Sequence, residues 1–150
     1  MEQNKPPIAI DLDGVLASYK EFHGWENIGD PIPGAVDFVR ELSKDYQIII
    51  YTARLNCPSK DYYTIHGLIT DWLIENGFSS YISSLEKKIV AKAYIDDRAV
   101  TCIPERTSIE GDPLSEAKGR LYFDFVRAKV KLVVNRDNVY EKWEAKKDIS

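Results

Sequence analysis

Pairs of aspartates occur twice in the chain, each directly after a short apolar run. Asp11 and Asp13 follow the first run, and Asp96–Asp97 follows the second. On a strand, residues two apart point to the same face, about 7 Å apart, so Asp11 and Asp13 would repel each other in a partly buried site. A divalent cation would relieve this repulsion, and oxygen ligands with open water positions favour Mg²⁺. The alternative is a turn in which the aspartates only cap local structure.

The segments around these acids predict alternating strands and helices. Short apolar runs predict strands at 8–10, 47–52 and 91–95. Apolar residues at helical spacing predict one helix over 34–44 and a second that starts near residue 62 and stops at Gly77. This alternation predicts right-handed crossovers and an α/β fold with a parallel sheet.

The three predicted strands all end in polar residues, namely the two aspartate pairs and Thr52. In an open parallel sheet, the carboxyl ends of the strands line the ligand crevice. We therefore expect these residues, which are far apart in the sequence, to meet at one edge of the sheet. Tyr81–Ile82 is a candidate for a further short strand.

Three segments of the chain resemble motifs of the haloacid dehalogenase (HAD) superfamily of phosphohydrolases. Asp11-Leu12-Asp13-Gly14-Val15-Leu16 is similar to motif I, and Tyr51-Thr52-Ala53-Arg54 is similar to motif II. Tyr94-Ile95-Asp96-Asp97-Arg98-Ala99 is similar to the acidic motif IV. The segments occur in the family's order. The resemblance implies a three-layer, Rossmann-like parallel sheet flanked by helices.

The resemblance also implies roles for residues of the first two motifs. Asp11 would attack phosphorus and form an aspartyl-phosphate. Asp13 would protonate the leaving oxygen and then activate water. Thr52 would hydrogen-bond the transferring phosphoryl group, together with the backbone N–H groups of Leu12 and Ala53. A second aspartate in motif I is typical of the phosphatases and phosphotransferases of this superfamily.

The family pattern further implies a magnesium site and a contact to the substrate. The Asp11 carboxylate, the backbone carbonyl of Asp13 and Asp96 would hold Mg²⁺. Asp97 would either ligate the metal or orient nearby groups. Two interpretations of Arg54 stay open, a contact to the substrate and a salt bridge.

A lysine upstream of motif IV should offset the charge of the phosphoryl group and of Asp11. Lys87, Lys88 and Lys92 are the candidates. In similar sequences this lysine often opens a Lys-Pro turn eight residues before the first acid of motif IV. Lys88 has that spacing, although an isoleucine replaces the proline. We expect Lys88 to be the catalytic lysine.

The spacing of the motifs leaves no room for an inserted cap domain. Residues 17–33 have room only for a loop, and one helix takes up most of 53–87. We expect a single domain over residues 1–150, with the motifs in about 8–100 and an extension over about 104–150. The site of such a capless protein is open, so a bulky substrate would fit or a second copy of the chain would cover it. Aromatic residues in the loop would either stack on a substrate or pack on the domain; they are Tyr19, Phe22 and Trp25.

Composition limits the class of protein. The net charge is −4, and the chain has no basic stripe, which disfavours a nucleic-acid-binding module without excluding one. Two cysteines, Cys57 and Cys102, are too few for a disulfide scaffold and are expected to be buried or half-buried free thiols. No apolar stretch approaches the roughly 20 residues that span a membrane, and the first residues lack the apolar core of a signal peptide. We expect a cytoplasmic protein with no membrane contact.

The last third of the chain is less informative. Residues 104–119 are rich in Pro, Gly, Ser and charge, which predicts a long loop. Residues 121–134 fit either a strand or a helix, and residues 137–147 predict a charged terminal helix.

The resemblance, together with the aspartates at the strand ends, implies a Mg²⁺-dependent phosphatase that hydrolyses a phosphate monoester of a small molecule through an aspartyl-phosphate. One alternative is a phosphatase that acts on nucleotides or polynucleotide ends. An alternative of another class is a non-catalytic binding or regulatory domain with the same fold. Intact Asp11, Asp13, Thr52 and Asp96 disfavour the last alternative, because a binding domain would not need all four.

Overall fold

The computed structural model describes residues 4–105 and 119–147. In the last helix, it describes the side chains of residues 122–136. The predicted loop over 104–119 and the charged side chains of 137–147 therefore lie largely outside the described residues.

In the described residues, three parallel strands form the sheet. They are β1 (Pro7–Ile10), β2 (Gln47–Thr52) and β3 (Ile82–Lys87), in the spatial order β1-β2-β3. The predicted parallel sheet and its first two strands are confirmed. The third strand extends well beyond the Tyr81–Ile82 candidate. Most of its residues are polar, because it pairs only with β2 among the described strands and exposes much of its surface.

The strand predicted at 91–95 is wrong for this structure. Residues 91–97 are exposed and form no β-ladder. After β3 ends, the chain folds back on itself, and the Tyr94 hydroxyl donates a hydrogen bond to the carbonyl of Ile89. The apolar composition that predicted the strand is real, but it does not lead to burial here, since Ile95 is fully exposed.

Two helices connect the strands, close to the predicted positions. Helix α1 (Ala35–Ser43) follows Gly34, and helix α2 (Tyr62–Glu75) follows Asp61, whose side chain accepts a hydrogen bond from the N–H of Thr64. Gly77 has a φ of 82° just beyond α2, a left-handed conformation that favours glycine and ends the helix as predicted. A short 3₁₀ helix (Ala53–Asn56) directly follows β2.

A long helix, α3 (Gly119–Lys147), is the last element of the described residues. The segment that fitted either a strand or a helix and the predicted terminal helix are thus one continuous helix. It contacts α1, with Phe38 and Phe123 rings 4.9 Å apart. The buried side chains of α3 lie at helical spacing along one face and complete the core; they are Tyr122, Phe123, Val126 and Val130.

Residues 17–33, which we call the flap, form the predicted loop. An antiparallel bridge between Ala17 and Pro31 closes its base. The indole N–H of Trp72 in α2 donates to the carbonyl of Gly29, 2.9 Å away. Trp25 packs against the core, whereas Tyr19 and Phe22 are 43% and 56% exposed. The loop is therefore anchored to the domain at several points.

None of the described helices is both long enough and apolar enough to cross a membrane.

Candidate active site

Asp11 and Lys88 meet at the carboxyl edge of the sheet. Asp11 directly follows β1, and Lys88 directly follows β3. The N–H of Lys88 donates to the carbonyl of Thr52, which continues the pairing of β3 with β2 by one residue. This places the Lys88 ammonium 3.0 Å from Oδ2 of Asp11. The other two candidate lysines, at positions 87 and 92, are exposed.

The Lys88 ammonium lies between two aromatic rings. Its Nζ is 4.7 Å from the centre of the Tyr51 ring and 4.3 Å from that of the Tyr94 ring. Such contacts attract a cation to the ring face. The amide of Asn56 donates to the carbonyl of Lys88 at 2.6 Å. Side chain and backbone of Lys88 are thus both held in place, and 11% of the side chain is exposed.

For each member of this ion pair, burial and the charge of the partner shift the pKa in opposite directions. Burial raises the pKa of Asp11 above its ordinary value, and the Lys88 ammonium offsets only part of that rise. For Lys88, burial alone lowers the pKa, but the charge of Asp11 and its hydrogen bond outweigh burial, so the pKa lies above its ordinary value. The lysine is therefore a permanent cation beside the carboxylate at neutral pH.

Asp13 is paired with Arg54, which the sequence left open as a contact to the substrate or a salt bridge. The guanidinium Nε lies 2.7 Å from Oδ2 of Asp13, and Nη2 lies 2.9 Å from Oδ1. This is a bidentate pair, the geometry in which arginine binds a carboxylate most strongly. Arg54 is 5% exposed. In this structure, Arg54 forms the salt bridge.

Each acid of the Asp11–Asp13 pair therefore has its own protein cation. The repulsion that suggested a divalent ion is balanced by Lys88 and Arg54. The expectation of Mg²⁺ then depends on the family resemblance alone.

The second aspartate pair does not complete a metal site in the described part of the chain. Asp96 and Asp97 are exposed, and the Asp96 carboxylate accepts the N–H of Arg98 at 2.7 Å. No three acidic, histidine or cysteine side chains among the described residues lie close enough together to hold one ion. The donors as placed do not fit the expected magnesium site.

The predicted phosphoryl-binding groups have local partners. Thr52 is fully buried, and its Oγ1 accepts the N–H of Arg54, which caps the short 3₁₀ helix. The N–H of Leu12 donates to Oδ1 of Asp11 at 2.8 Å. Ala53 is half-buried at the start of the same 3₁₀ helix. Thr52 and Leu12 thus support the positions of Arg54 and Asp11.

A pocket of about 340 Å³ opens between the flap and Arg54. Its flap residues include charges of both signs, with Lys20 as the cation and Glu21 and Asp30 as the anions, and they also include His23. The pocket is large enough for a small organic molecule.

The sequence did not single out three residues that surround Lys88. Tyr51 and Tyr94 lie inside the quoted motifs, but aromatic residues beside apolar runs are ordinarily packing residues. Asn56 lies between the second predicted strand and the second predicted helix, outside every motif. All three lie close in sequence to a motif residue. The pairing of β3 with β2 brings Tyr51 and Asn56 to Lys88, and the path of the chain after β3 brings Tyr94 there.

The fold is similar to that of a known structure. No protein-family model matches the chain, and no curated protein matches it. The crystal structure of a target protein from Vibrio cholerae matches with a TM-score of 0.50 and 20% identity, over 83% of this chain and 98% of that one. At this identity, the likeness concerns the fold alone.

Proposed function

We propose that the protein is a phosphatase of the HAD type, which hydrolyses phosphate monoesters through an aspartyl-phosphate at Asp11. The observation that carries the proposal is the contact of 3.0 Å between the Asp11 carboxylate and the Lys88 ammonium. An anionic nucleophile can approach an anionic phosphate only if cations lower the repulsion, and Lys88 is a fixed cation at that point. The three-layer fold of that superfamily is part of the same proposal.

In the first step, an Asp11 oxygen forms a bond to phosphorus as the bond from phosphorus to the leaving oxygen breaks. Asp13, which takes up a proton as the ester binds, donates it to that leaving oxygen. The bidentate contact with Arg54 occupies one lone pair on each Asp13 oxygen, so that a second site on each oxygen is left for the proton. The Lys88 ammonium offsets the charge that gathers between nucleophile and phosphoryl group.

In the second step, water attacks phosphorus and the bond between phosphorus and Asp11 breaks. Asp13 accepts the proton of the attacking water, and inorganic phosphate leaves. Both acids return to their starting states, and the net reaction is hydrolysis of one ester bond.

Mg²⁺ belongs to the proposal through the resemblance, with Asp11, the Asp13 carbonyl and Asp96 as the expected ligands and Asp97 as a further candidate. When bound, the ion would add positive charge at the phosphoryl oxygens. Because Asp96 and Asp97 stay in an exposed segment of the structure, no step above uses the ion.

A phosphorylated small molecule is the proposed substrate. The pocket between flap and Arg54 has the volume for one, and its lining carries both cations and anions without a basic surface for a polynucleotide. Two free, half-buried thiols suit a reducing compartment, so we place the reaction in the cytoplasm.

Phosphate release from p-nitrophenyl phosphate and a panel of metabolites tests the proposal, with the wild type, Asp11→Asn and Asp71→Asn. Asp71 is exposed on α2 and serves as the matched control. We expect turnover by the wild type and the control, and none by Asp11→Asn. Parallel reactions with EDTA and with added Mg²⁺ test whether turnover needs the ion that the resemblance implies.

Two outcomes would contradict the proposal. Undiminished turnover by Asp11→Asn would exclude the aspartyl-phosphate. No turnover on any ester would favour the non-catalytic binding domain. Sugar phosphates, nucleotides and 3′-phosphorylated oligonucleotides in the panel separate the small-molecule substrate from the nucleotide and polynucleotide alternative.

A further inference from the structure

The guanidinium of Arg54 uses all of its hydrogen-bond donors. Arginine has five N–H donors in a fixed fork. Two of them bind Asp13, as described above. The other three donate to backbone carbonyls of the flap, at 3.1 Å to Gly24, 2.8 Å to Trp25 and 2.9 Å to Asn27. No donor is left over for a substrate.

Arg54 also lies where solvent and ligands have little access. It is 5% exposed, and its own N–H is bound to the Thr52 hydroxyl. A substrate that displaced any of its five contacts would leave a partly buried carbonyl or carboxylate without its partner, and a fully buried group left so costs about 1–3 kcal/mol if neutral and more if charged. The expected contact between Arg54 and the substrate is therefore unfavourable in this structure.

The three flap carbonyls converge on Arg54 from one short segment, residues 24–27. Away from this point, the flap is held by the bridge at its base and by the bond from Trp72 to Gly29. Tyr19, Lys20 and His23, which precede the bound segment, line the pocket and are exposed. Asn27, which lines the pocket, and the Asp13 carboxylate are thus held by the same side chain.

We propose that Arg54 is a positioning residue, which holds the flap and Asp13 in one fixed relation. It touches no reacting atom. Its work is to keep the carboxylate of Asp13 aimed at the leaving oxygen while it holds residues 24–27 of the flap. The catalytic part rests on the proposed function, whereas the link between Asp13 and the flap does not.

Lysine cannot replace arginine in this arrangement. An ammonium has three donors at a single point, so it cannot bind both Asp13 oxygens and three carbonyls at once. Arg54→Lys therefore keeps the positive charge but loses the arrangement of N–H donors that binds Asp13 and the flap together. Arg40→Lys is the matched control, because Arg40 pairs with Asp37 on the surface of α1.

The first experiment measures hydrogen exchange of the flap amides by mass spectrometry. Asp13→Asn disturbs the bidentate pair without removing any flap contact, since the hydrogen bonds that Asp13 makes with its side chain go to Arg54. We expect faster exchange over residues 18–30 in both Arg54→Lys and Asp13→Asn, and wild-type exchange in Arg40→Lys. If the flap amides of Asp13→Asn exchange at the wild-type rate, Arg54 does not join Asp13 to the flap. If Arg54→Lys does not fold, the exchange of Asp13→Asn alone tests this link.

The second experiment varies the leaving group. p-Nitrophenolate leaves without a proton, whereas an alkoxide needs one from Asp13. We expect Arg54→Lys to lose roughly a hundredfold in turnover of an alkyl phosphate and much less on p-nitrophenyl phosphate. Equal losses on both substrates would overturn the role in aiming Asp13. If the wild type hydrolyses neither ester, the proposed function fails, and the exchange data still decide whether Arg54 joins Asp13 to the flap.

Discussion

Lys88 Nζ lies 3.0 Å from Oδ2 of Asp11, although 77 residues separate them in the chain. The parallel register explains the contact. β3 pairs with β2 up to Thr52 and Lys87, and β1 pairs with β2 on the other side. The residues that follow β1 and β3 therefore project from the same edge, on either side of β2.

Loss of the Lys88 charge should reduce turnover without unfolding the protein. A fixed cation that stabilises charge in the transition state contributes about 10²- to 10³-fold to kcat. We expect Lys88→Met to lose roughly that factor in phosphate release. Lys87→Met, which changes the exposed neighbour, should behave like the wild type. Equal activity of the two variants would remove Lys88 from the mechanism.

The ring of Tyr94 should matter more than its hydroxyl. The ring lies 4.3 Å from the Lys88 ammonium, and a cation–π contact contributes about 0.5–2 kcal/mol. Tyr94→Phe keeps the ring, so we expect it to retain most of the turnover that Tyr94→Ala loses. Tyr63→Ala is the control, because Tyr63 is 83% exposed on α2. Kinetics of the three variants check the prediction, and a larger loss in Tyr94→Phe would contradict it.

Gly29 should tolerate no side chain. A Cβ at this position would lie 2.1 Å from the carbonyl oxygen of Ser18, which is backbone and cannot simply rotate away. We expect Gly29→Ala to reduce the free energy of unfolding by about 1–3 kcal/mol, the usual cost of overpacking. Gly67→Ala in α2 has open space and should add about 0.5–1 kcal/mol. Urea titrations compare the two, and a stable Gly29→Ala would mean that the flap relaxes freely.

The two thiols should differ in their reaction with iodoacetamide as pH rises. Burial raises the pKa of Cys102 to about 12, with the charge of Asp11 as a further cause. For Cys57, burial acts in the same direction, but hydrogen bonds with Ser59 and the backbone of Lys60, together with the Lys60 charge, outweigh it and lower the pKa. The thiolate is the reactive form, so Cys57 should be alkylated at a lower pH than Cys102. Peptide mapping between pH 7 and 10 measures both rates; faster reaction of Cys102 would contradict the burial of its thiol.

The sequence predicted the parts of the fold that depend on continuous patterns. The apolar run of β2 and the amphipathic spacing of α1 agree with the structure to within a residue or so at each end. β3 was largely missed because an edge strand with polar residues lacks an apolar pattern. At 91–95, in contrast, the apolar pattern predicted a strand that the structure does not contain. The apolar residues there are exposed and pair with no described strand.

The contact between Asp11 and Lys88 could be predicted from the types of the two residues and their spacing relative to the motifs. Lys88 was chosen by its distance from Asp96, and it contacts Asp11. The position of Arg54 was not predictable, since three of its partners are backbone carbonyls, which every residue type carries. Only the folded path of the flap brings those carbonyls together.

Direct trapping of the covalent intermediate tests the role of Asp11 most sharply. Wild-type protein is mixed with excess phosphate ester, denatured within the first turnovers and reduced with borohydride, which converts an aspartyl-phosphate to homoserine. Mass spectrometry of the peptide that contains residue 11 then reads the result. We expect homoserine at position 11 in the wild type and none in Asp11→Asn or without ester. Steady turnover with reduction at another aspartate would contradict the assignment of Asp11 as the nucleophile.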